Sequence, residues 1–171
     1  PTTKFEKHDR PISRDQAIEE GLIDAGMFDA AADVCFRLYR RGVEHAASRG
    51  LILVDTKYEL GRLNGTLVVS DEIHTPDSSR YFYLEGYEER QTKGEPQKQL
   101  SKEFVREWLM DHGFKGEPGQ EVPEMTDEFV ESVSERYIEL YERITGEEFQ
   151  KADVSDVLNR VERNINNYLN G

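Results

Sequence analysis

The spacing of apolar residues changes from a helical to a strand period at Gly50. Upstream, residues 28–48 carry apolar side chains at spacings of three and four, which predicts an amphipathic helix. Downstream, the apolar run 51–54 begins a strand, Asn64-Gly65 is a strong signal for a hairpin turn, and residues 66–69 begin the return strand. A long helix followed by a hairpin indicates an α+β fold, with a hairpin-centred antiparallel sheet flanked by helices.

Helical signals lie on both sides of this hairpin. Ser13 and Gln16 have the spacing of a capping box, in which each side chain bonds to the other residue's backbone amide, so a helix is predicted to start at Ser13. Residues 84–100 are charged and weakly patterned, and no element is predicted there. Three further helices are predicted from apolar spacing, over 101–113, 126–146 and 154–169.

The charge and the cysteine count argue against several functions. The 171 residues carry a formal net charge of −13, and such a surface repels nucleic acids and anionic membranes. It also repels phosphates, so any nucleotide site needs local cations. The single cysteine, Cys35, lies in the apolar stripe of the long helix and can form no internal disulfide, which favours a reducing, cytoplasmic location. No apolar run approaches the ~20 residues of a membrane span.

A first charged segment, residues 55–59, follows the apolar strand. Side chains alternate along a strand, so Asp55, Lys57 and Glu59 are expected on one face. Three charges in a row on one face are costly in a core. That face is therefore either exposed to solvent with its charges paired, or a site for a metal and phosphate.

A second charged segment, residues 71–80, lies on the return strand and the loop beyond it. The hairpin brings it beside the first segment, and together they offer carboxylates, a lysine, an arginine and hydroxyls. Mg²⁺ takes one or two carboxylates together with phosphate oxygens and water. Arginine forks onto phosphate or carboxylate, and lysine supplies a point charge. This inventory suits phosphoryl transfer.

The register of the hairpin tests whether two acids share one ion. A strict two-residue loop at Asn64-Gly65 pairs Glu59 with Ser70 and turns Asp71 to the other face. A loop with an odd residue count, with Gly65 left-handed in a bulge, brings Glu59 and Asp71 to the same face. Shared binding of Mg²⁺ therefore predicts the bulged hairpin, and a strict turn with a regular ladder counts against it.

Three segments together resemble the SAICAR synthetase family. Residues 50–61 (GLILVDTKYELG) and 71–81 (DEIHTPDSSRY) are similar to two of its signatures, and residues 1–9 (PTTKFEKHD) resemble a third. Leu60 departs from the family pattern, which usually has Phe there, and affects packing only. The resemblance implies that residues 1–171 are the C-terminal α+β domain, the back lobe of a two-lobed ATP-binding fold. The family's N-terminal lobe is absent, so we expect a chain cut or processed from a longer one, inactive alone.

The resemblance implies an ATP-dependent ligase of de novo purine biosynthesis. This enzyme joins L-aspartate to carboxyaminoimidazole ribonucleotide through an acyl phosphate, giving SAICAR, ADP and phosphate. Mg²⁺ is the implied cofactor, with ATP as co-substrate. The roles that it implies are a magnesium site at Glu59 and Asp71, a catalytic Lys57, and substrate binding by Asp77, Ser79, Arg80, Lys4 and Asp9. The residues that bind aspartate are not assigned. His74 is expected to pack or to support the site.

Two other functions fit the residue pattern without the resemblance. A different Mg-ATP phosphotransferase, such as a kinase, can place two metal-binding acids on a hairpin. A non-catalytic interaction module would use the acidic, helical C-terminal third as its binding face. Without the other lobe, an exposed apolar patch is expected, which favours a homo-oligomer.

Overall fold

The structure is a computed structural model, and it describes residues 1–3 and 10–171. The described residues form six helices, α1 (Arg14–Glu19), α2 (Ala25–Ser48), α3 (Tyr87–Lys93), α4 (Glu103–Asp111), α5 (Asp127–Thr145) and α6 (Val157–Asn170). They form five strands, β1 (Leu51–Thr56), β2 (Glu59–Leu63), β3 (Thr66–Ser70), β4 (Ser79–Tyr83) and β5 (Gln99–Leu100). The α+β class is confirmed. No helix in this part of the chain has both the length and the apolar character needed to cross a membrane.

The core lies where a three-stranded antiparallel sheet packs against two helices. Its strand order is β1-β4-β5. The fully buried side chains come from all three strands and from the facing turns of α2 and α5: Ala46, Leu51, Leu53, Tyr81, Leu100 and Leu140. Each large apolar side chain buried here contributes roughly 1.5–3 kcal/mol. This sheet is therefore the rigid part of the molecule.

Helix α2 begins three residues earlier than the apolar stripe predicts. Asp24 caps it, because its Oδ1 accepts a 2.9 Å hydrogen bond from the Met27 amide. The helix ends at Ser48, as expected from Gly50. Tyr39 ties it to the sheet by donating its hydroxyl proton to the carbonyl of Val54 at 2.9 Å.

The bulge predicted in the hairpin is absent, and the prediction was wrong. Strands β2 and β3 pair in regular register, from Glu59 opposite Ser70 to Leu63 opposite Thr66. Asn64 and Gly65 have φ of 51° and 83°, as a two-residue type I′ turn requires. This turn already matches the twist of the strands, so no extra residue is needed.

The strand predicted over residues 51–59 is not continuous, and this prediction was wrong. It breaks after Thr56, and Glu59 begins β2 in a separate two-stranded sheet. Strand β1 pairs instead with β4, and the register shift of this pair lies between Leu53 and Asp55. The sheet is therefore not centred on the hairpin, and Asp55 and Glu59 do not share one strand face.

The C-terminal half forms its predicted helices, but the apolar stripe of the last one is not covered. Thr126 caps α5, and Gly146 ends it in the left-handed conformation, as predicted. Helix α6 starts at Val157, and its apolar residues are all exposed, with Tyr168 at 87%. Helix α3 was missed because it is short and is held by charged pairs such as Lys93 with Glu89.

Candidate functional site

Lys57 joins the two carboxylates that were predicted to share a cation. It lies between β1 and β2, and its Nζ is 2.7 Å from Glu59 Oε1 and 3.4 Å from Asp71 Oδ2. The two acids therefore converge on one point despite the strict turn. Asp71 lies just beyond the last residue of β3, and its φ is 64°. Its side chain therefore does not follow the alternation of the strand. The inference that a regular ladder separates these groups was wrong for this reason.

A positive charge already lies between the two carboxylates. It is the ammonium of Lys57, whose pKa is raised by its hydrogen bond to Glu59 and by the nearby Asp71. Within the described residues no group of three or more His, Cys, Asp or Glu is placed to hold a metal ion. A pair of carboxylates is nevertheless what Mg²⁺ needs when phosphate oxygens and water complete its shell.

An open cleft of about 350 Å³ adjoins Lys57. It is lined by charged side chains from β1, β4 and the two loops that face them, among them Asp55, Lys57, Glu72, Asp77, Arg80 and Lys102. A volume of this order accommodates a small ligand or part of a nucleotide.

Arg80 is oriented by Asp55 across the β1–β4 pair. Its Nε donates to Asp55 Oδ1 at 2.9 Å, and its Nη2 contacts Oδ2 of the same carboxylate. The hydrogen bond from Arg80 lowers the pKa of Asp55. The register shift beside Asp55 makes these two residues partners. A fork held in this way presents its remaining N–H groups in a fixed direction.

The loop before β4 is held by its own hydroxyls. The amide of Thr75 donates to Ser78 Oγ at 3.1 Å, and Glu72 contacts the hydroxyl of Thr75. Ser79 lines the cleft but is only 3% exposed, and its hydroxyl donates to Thr56 Oγ1 at 2.8 Å. Ser79 is therefore committed to bracing the two strands in this structure.

Lys102 is a cleft residue that the sequence did not indicate. It precedes α4, its Nζ is 3.1 Å from Asp77 Oδ1, and its amide donates to the Pro76 carbonyl. Nothing in the spacing connects it with the loop, since the contact depends on how α4 packs. With Lys57 and Arg80 it gives the cleft three cations. Four carboxylates line the same cleft, those of Asp55, Glu72, Asp77 and Glu103.

The predicted site residues thus fall into two adjoining groups and a pair outside the structure. Glu59 and Asp71 meet at Lys57, and Lys57 leads into the cleft. The cleft also holds Asp77, Ser79 and Arg80. The remaining two, Lys4 and Asp9, lie outside the described residues.

Fold and site together define an α+β protein with an open, charged cleft beside the contact of Lys57 with Glu59 and Asp71. The family model of SAICAR synthetase matches residues 1–126. The chain therefore belongs to the SAICAR synthetase family.

Relatives and solved structures agree with this membership. The chain is 58% identical over 171 residues to the phosphoribosylaminoimidazole-succinocarboxamide synthase of Bacteroides thetaiotaomicron, covering 99% of this chain and 54% of the relative. The SAICAR synthase of Saccharomyces cerevisiae, solved in complex with SAICAR, matches 84% of this chain and 46% of its own at 32% identity and a TM-score of 0.68. A SAICAR synthetase in complex with ADP matches 84% of this chain and 48% of its own at 27% identity and a TM-score of 0.56. The chain spans about half the length of the relatives it matches.

Proposed function

We propose that this chain carries part of the active site of an ATP-dependent ligase of purine synthesis. The enzyme joins L-aspartate to carboxyaminoimidazole ribonucleotide and yields SAICAR, ADP and phosphate. The observation that carries the proposal is the contact of Lys57 with both Glu59 and Asp71, directly beside a cleft that holds Arg80 and Lys102. The SAICAR and ADP in two related structures support the same ligand classes.

The chemistry needs phosphate handling rather than a protein nucleophile. A carboxylate oxygen of the ribonucleotide attacks the γ-phosphorus of ATP, the bond to ADP breaks, and an acyl phosphate forms. The amine of aspartate then attacks the acyl carbon, the carbon–oxygen bond to phosphate breaks, and the nitrogen loses a proton. Phosphate is a much better leaving group than oxide, so one difficult step becomes two easier ones.

Glu59 and Asp71 are the residues that would hold Mg²⁺, with Lys57 beside them. The bound ion would supply neutralisation of the charge on the phosphate oxygens. The Lys57 ammonium lies between the acids and the cleft and stabilises the negative charge of the transferred phosphoryl group.

Arg80, Lys102 and Asp77 form the part of the cleft that receives the ribonucleotide. Arg80 is held by Asp55 and Lys102 by Asp77, so both cations are oriented before a ligand arrives. Ser79 supports the strand pair beneath them. Roles for Lys4 and Asp9 and formation of a homo-oligomer stay predictions, and no residue is assigned to aspartate.

Fragment complementation tests the function. The chain is purified alone and together with the part of the Bacteroides thetaiotaomicron relative that it does not match, and ADP release is measured with both substrates. We expect negligible release from the chain alone and aspartate-dependent release from the mixture. Glu59→Gln lowers the rate roughly 100-fold or more, because a charged group at the phosphates is lost.

The matched control is Glu131→Gln, an exposed acid on α5, which leaves the rate unchanged. ADP release that needs no aspartate would indicate a kinase instead. An active mixture that tolerates Glu59→Gln would contradict the proposed site.

A further inference from the structure

The loop between β3 and β4, residues 71–78, contains two residues in an unfavourable backbone conformation. Asp71 and His74 have φ of 64° and 58°, in the left-handed region that residues other than glycine adopt uncommonly, Asp and His more readily than most. Such conformations persist where the surroundings hold them. Asp71 belongs to the cation site and Asp77 to the cleft, and His74 lies midway between them. The contacts that hold His74 therefore determine how Asp71 and Asp77 are placed relative to each other.

The ring of His74 occupies space that a side chain on α2 would otherwise fill. A Cβ on Gly42 would lie 2.5 Å from His74 Cε1 and 2.7 Å from Nε2, closer than real contacts allow. It would also lie 2.7 Å from Leu53 Cδ2 in the core. Gly42 is a buried position of α2 and is not needed there for its backbone freedom. Glycine at this position instead allows the imidazole of His74 to approach the helix closely.

Two tyrosines fix His74 from the other sides. The hydroxyl of Tyr58 is 2.5 Å from His74 Nε2, and the two rings meet edge to face at 5.5 Å. Tyr81, which is 1% exposed, donates its hydroxyl proton to the His74 carbonyl at 2.8 Å. Burial raises the pKa of Tyr58 to about 12 and lowers the pKa of His74, so two neutral groups meet.

We infer that Gly42, His74 and Tyr58 position the loop over residues 71–78, so that the cation site and the cleft keep the separation the reaction needs. This inference rests on the proposed function and assigns three positioning residues to it. Tyr58 lies between Lys57 and Glu59 in the chain. Its contact with His74 therefore links the segment that carries these two residues to the loop over residues 71–78. Helix α2 thereby connects the core to a loop that is otherwise held by its own hydroxyls and by hydrogen bonds from Tyr81, Lys57 and Lys102.

Gly42→Ala tests this positioning in the full chain. The added methyl displaces the imidazole, so we expect the backbone amide cross-peaks of Asp71 and Asp77 to shift in nitrogen–proton correlation spectra. We also expect the affinity for Mg²⁺-ADP, measured by calorimetry, to fall roughly 10-fold. The matched control is Gly26→Ala in the first turn of the same helix, whose Cβ would meet nothing closer than Asp24 Oδ1 at 3.4 Å. It changes neither the cross-peaks nor the affinity.

A double variant separates positioning from a loss of folding. Gly42→Ala with His74→Ala removes the overlap with the imidazole and leaves only the one with Leu53 Cδ2, so the melting temperature recovers in part while the affinity for Mg²⁺-ADP stays low. If Gly42→Ala alone does not fold, the amide cross-peaks of Asp71 and Asp77 are compared between the folded double variant and the wild type. We expect both cross-peaks to be shifted in the double variant.

Unshifted Asp71 and Asp77 cross-peaks in the folded variant would overturn the positioning role, as would recovery of full affinity in the double variant. A wild-type chain that does not bind Mg²⁺-ADP at all would instead count against the proposed function. The two failures are therefore distinguishable, because the cross-peaks are read without ligand.

Discussion

The two sheets of this molecule meet at the same site but are held in different ways. Strands β1, β4 and β5 are built into the core, with Leu51, Leu53 and Tyr81 almost completely buried. Every residue of β2 and β3 is half-buried or exposed, and among the described strands these two pair only with each other. The cleft residue Arg80 stands on the rigid sheet, whereas Glu59 and Asp71 stand at the base of the hairpin.

The core sheet and the hairpin are therefore expected to have different roles. Residues on the core sheet need no further support to keep their geometry. The carboxylates on the hairpin depend on Lys57 and on the loop that His74 anchors. Substitutions in the core sheet should therefore change global stability, and those in the hairpin should change local order and binding.

The largest effect is expected from Tyr81→Ala. Tyr81 is buried in the core sheet and bonds to the His74 carbonyl, so its removal leaves a cavity and an unpaired group. The free energy of unfolding, measured by urea denaturation, should fall by about 3–5 kcal/mol. Tyr168→Ala, at a side chain 87% exposed on α6, is the matched control and should change it by less than about 0.5 kcal/mol. Equal losses in both variants would break the comparison.

A smaller and more local effect is expected from Gly65→Ala. The turn needs a φ of 83° at this position, which costs an alanine about 1 kcal/mol or more. Hydrogen exchange of the amides in β2 and β3 should accelerate, while the amides of β1 keep their protection. The control is Gly61→Ala in β2, where a Cβ meets nothing within 4 Å. Faster exchange throughout β1 would mean that the hairpin and the core sheet unfold together.

The smallest effect concerns pH and the ion pair between Asp55 and Arg80. Arg80 lowers the pKa of Asp55 in the folded state, so the pair's contribution is present above the unfolded pKa of about 4 and is lost as the pH falls through the folded pKa. Both side chains are about half exposed, and the expected contribution is about 0.5 kcal/mol. Asp55→Asn should therefore destabilise the chain at pH 7 and have a smaller effect at pH 3. An equal difference at both pH values would contradict this assignment.

Features decided by neighbouring residues were predictable from the sequence. The capping box at Ser13 and Gln16, the cap at Thr126 and the turn at Asn64-Gly65 all appear where the pattern places them. The family signatures likewise led to the segments that line the cleft. Each of these signals is complete within a few residues of chain.

Features that depend on packing were not predictable in this way. Lys102 reaches Asp77 only because α4 packs beside the loop, and no spacing in the sequence connects them. Asp71 lies one residue past the end of β3, so strand alternation does not determine where its side chain points. The apolar stripe of α6 predicts a helix correctly but does not say whether the stripe is covered.

The central claim is that Glu59 and Asp71 hold one divalent ion between them. Mn²⁺, a paramagnetic substitute for Mg²⁺, is titrated into the chain while the broadening of backbone amide signals is followed. The account predicts selective broadening at Lys57, Glu59 and Asp71, which Glu59→Gln and Asp71→Asn each abolish. Broadening centred on Asp77 and Asp55, or none that depends on these two acids, would contradict it.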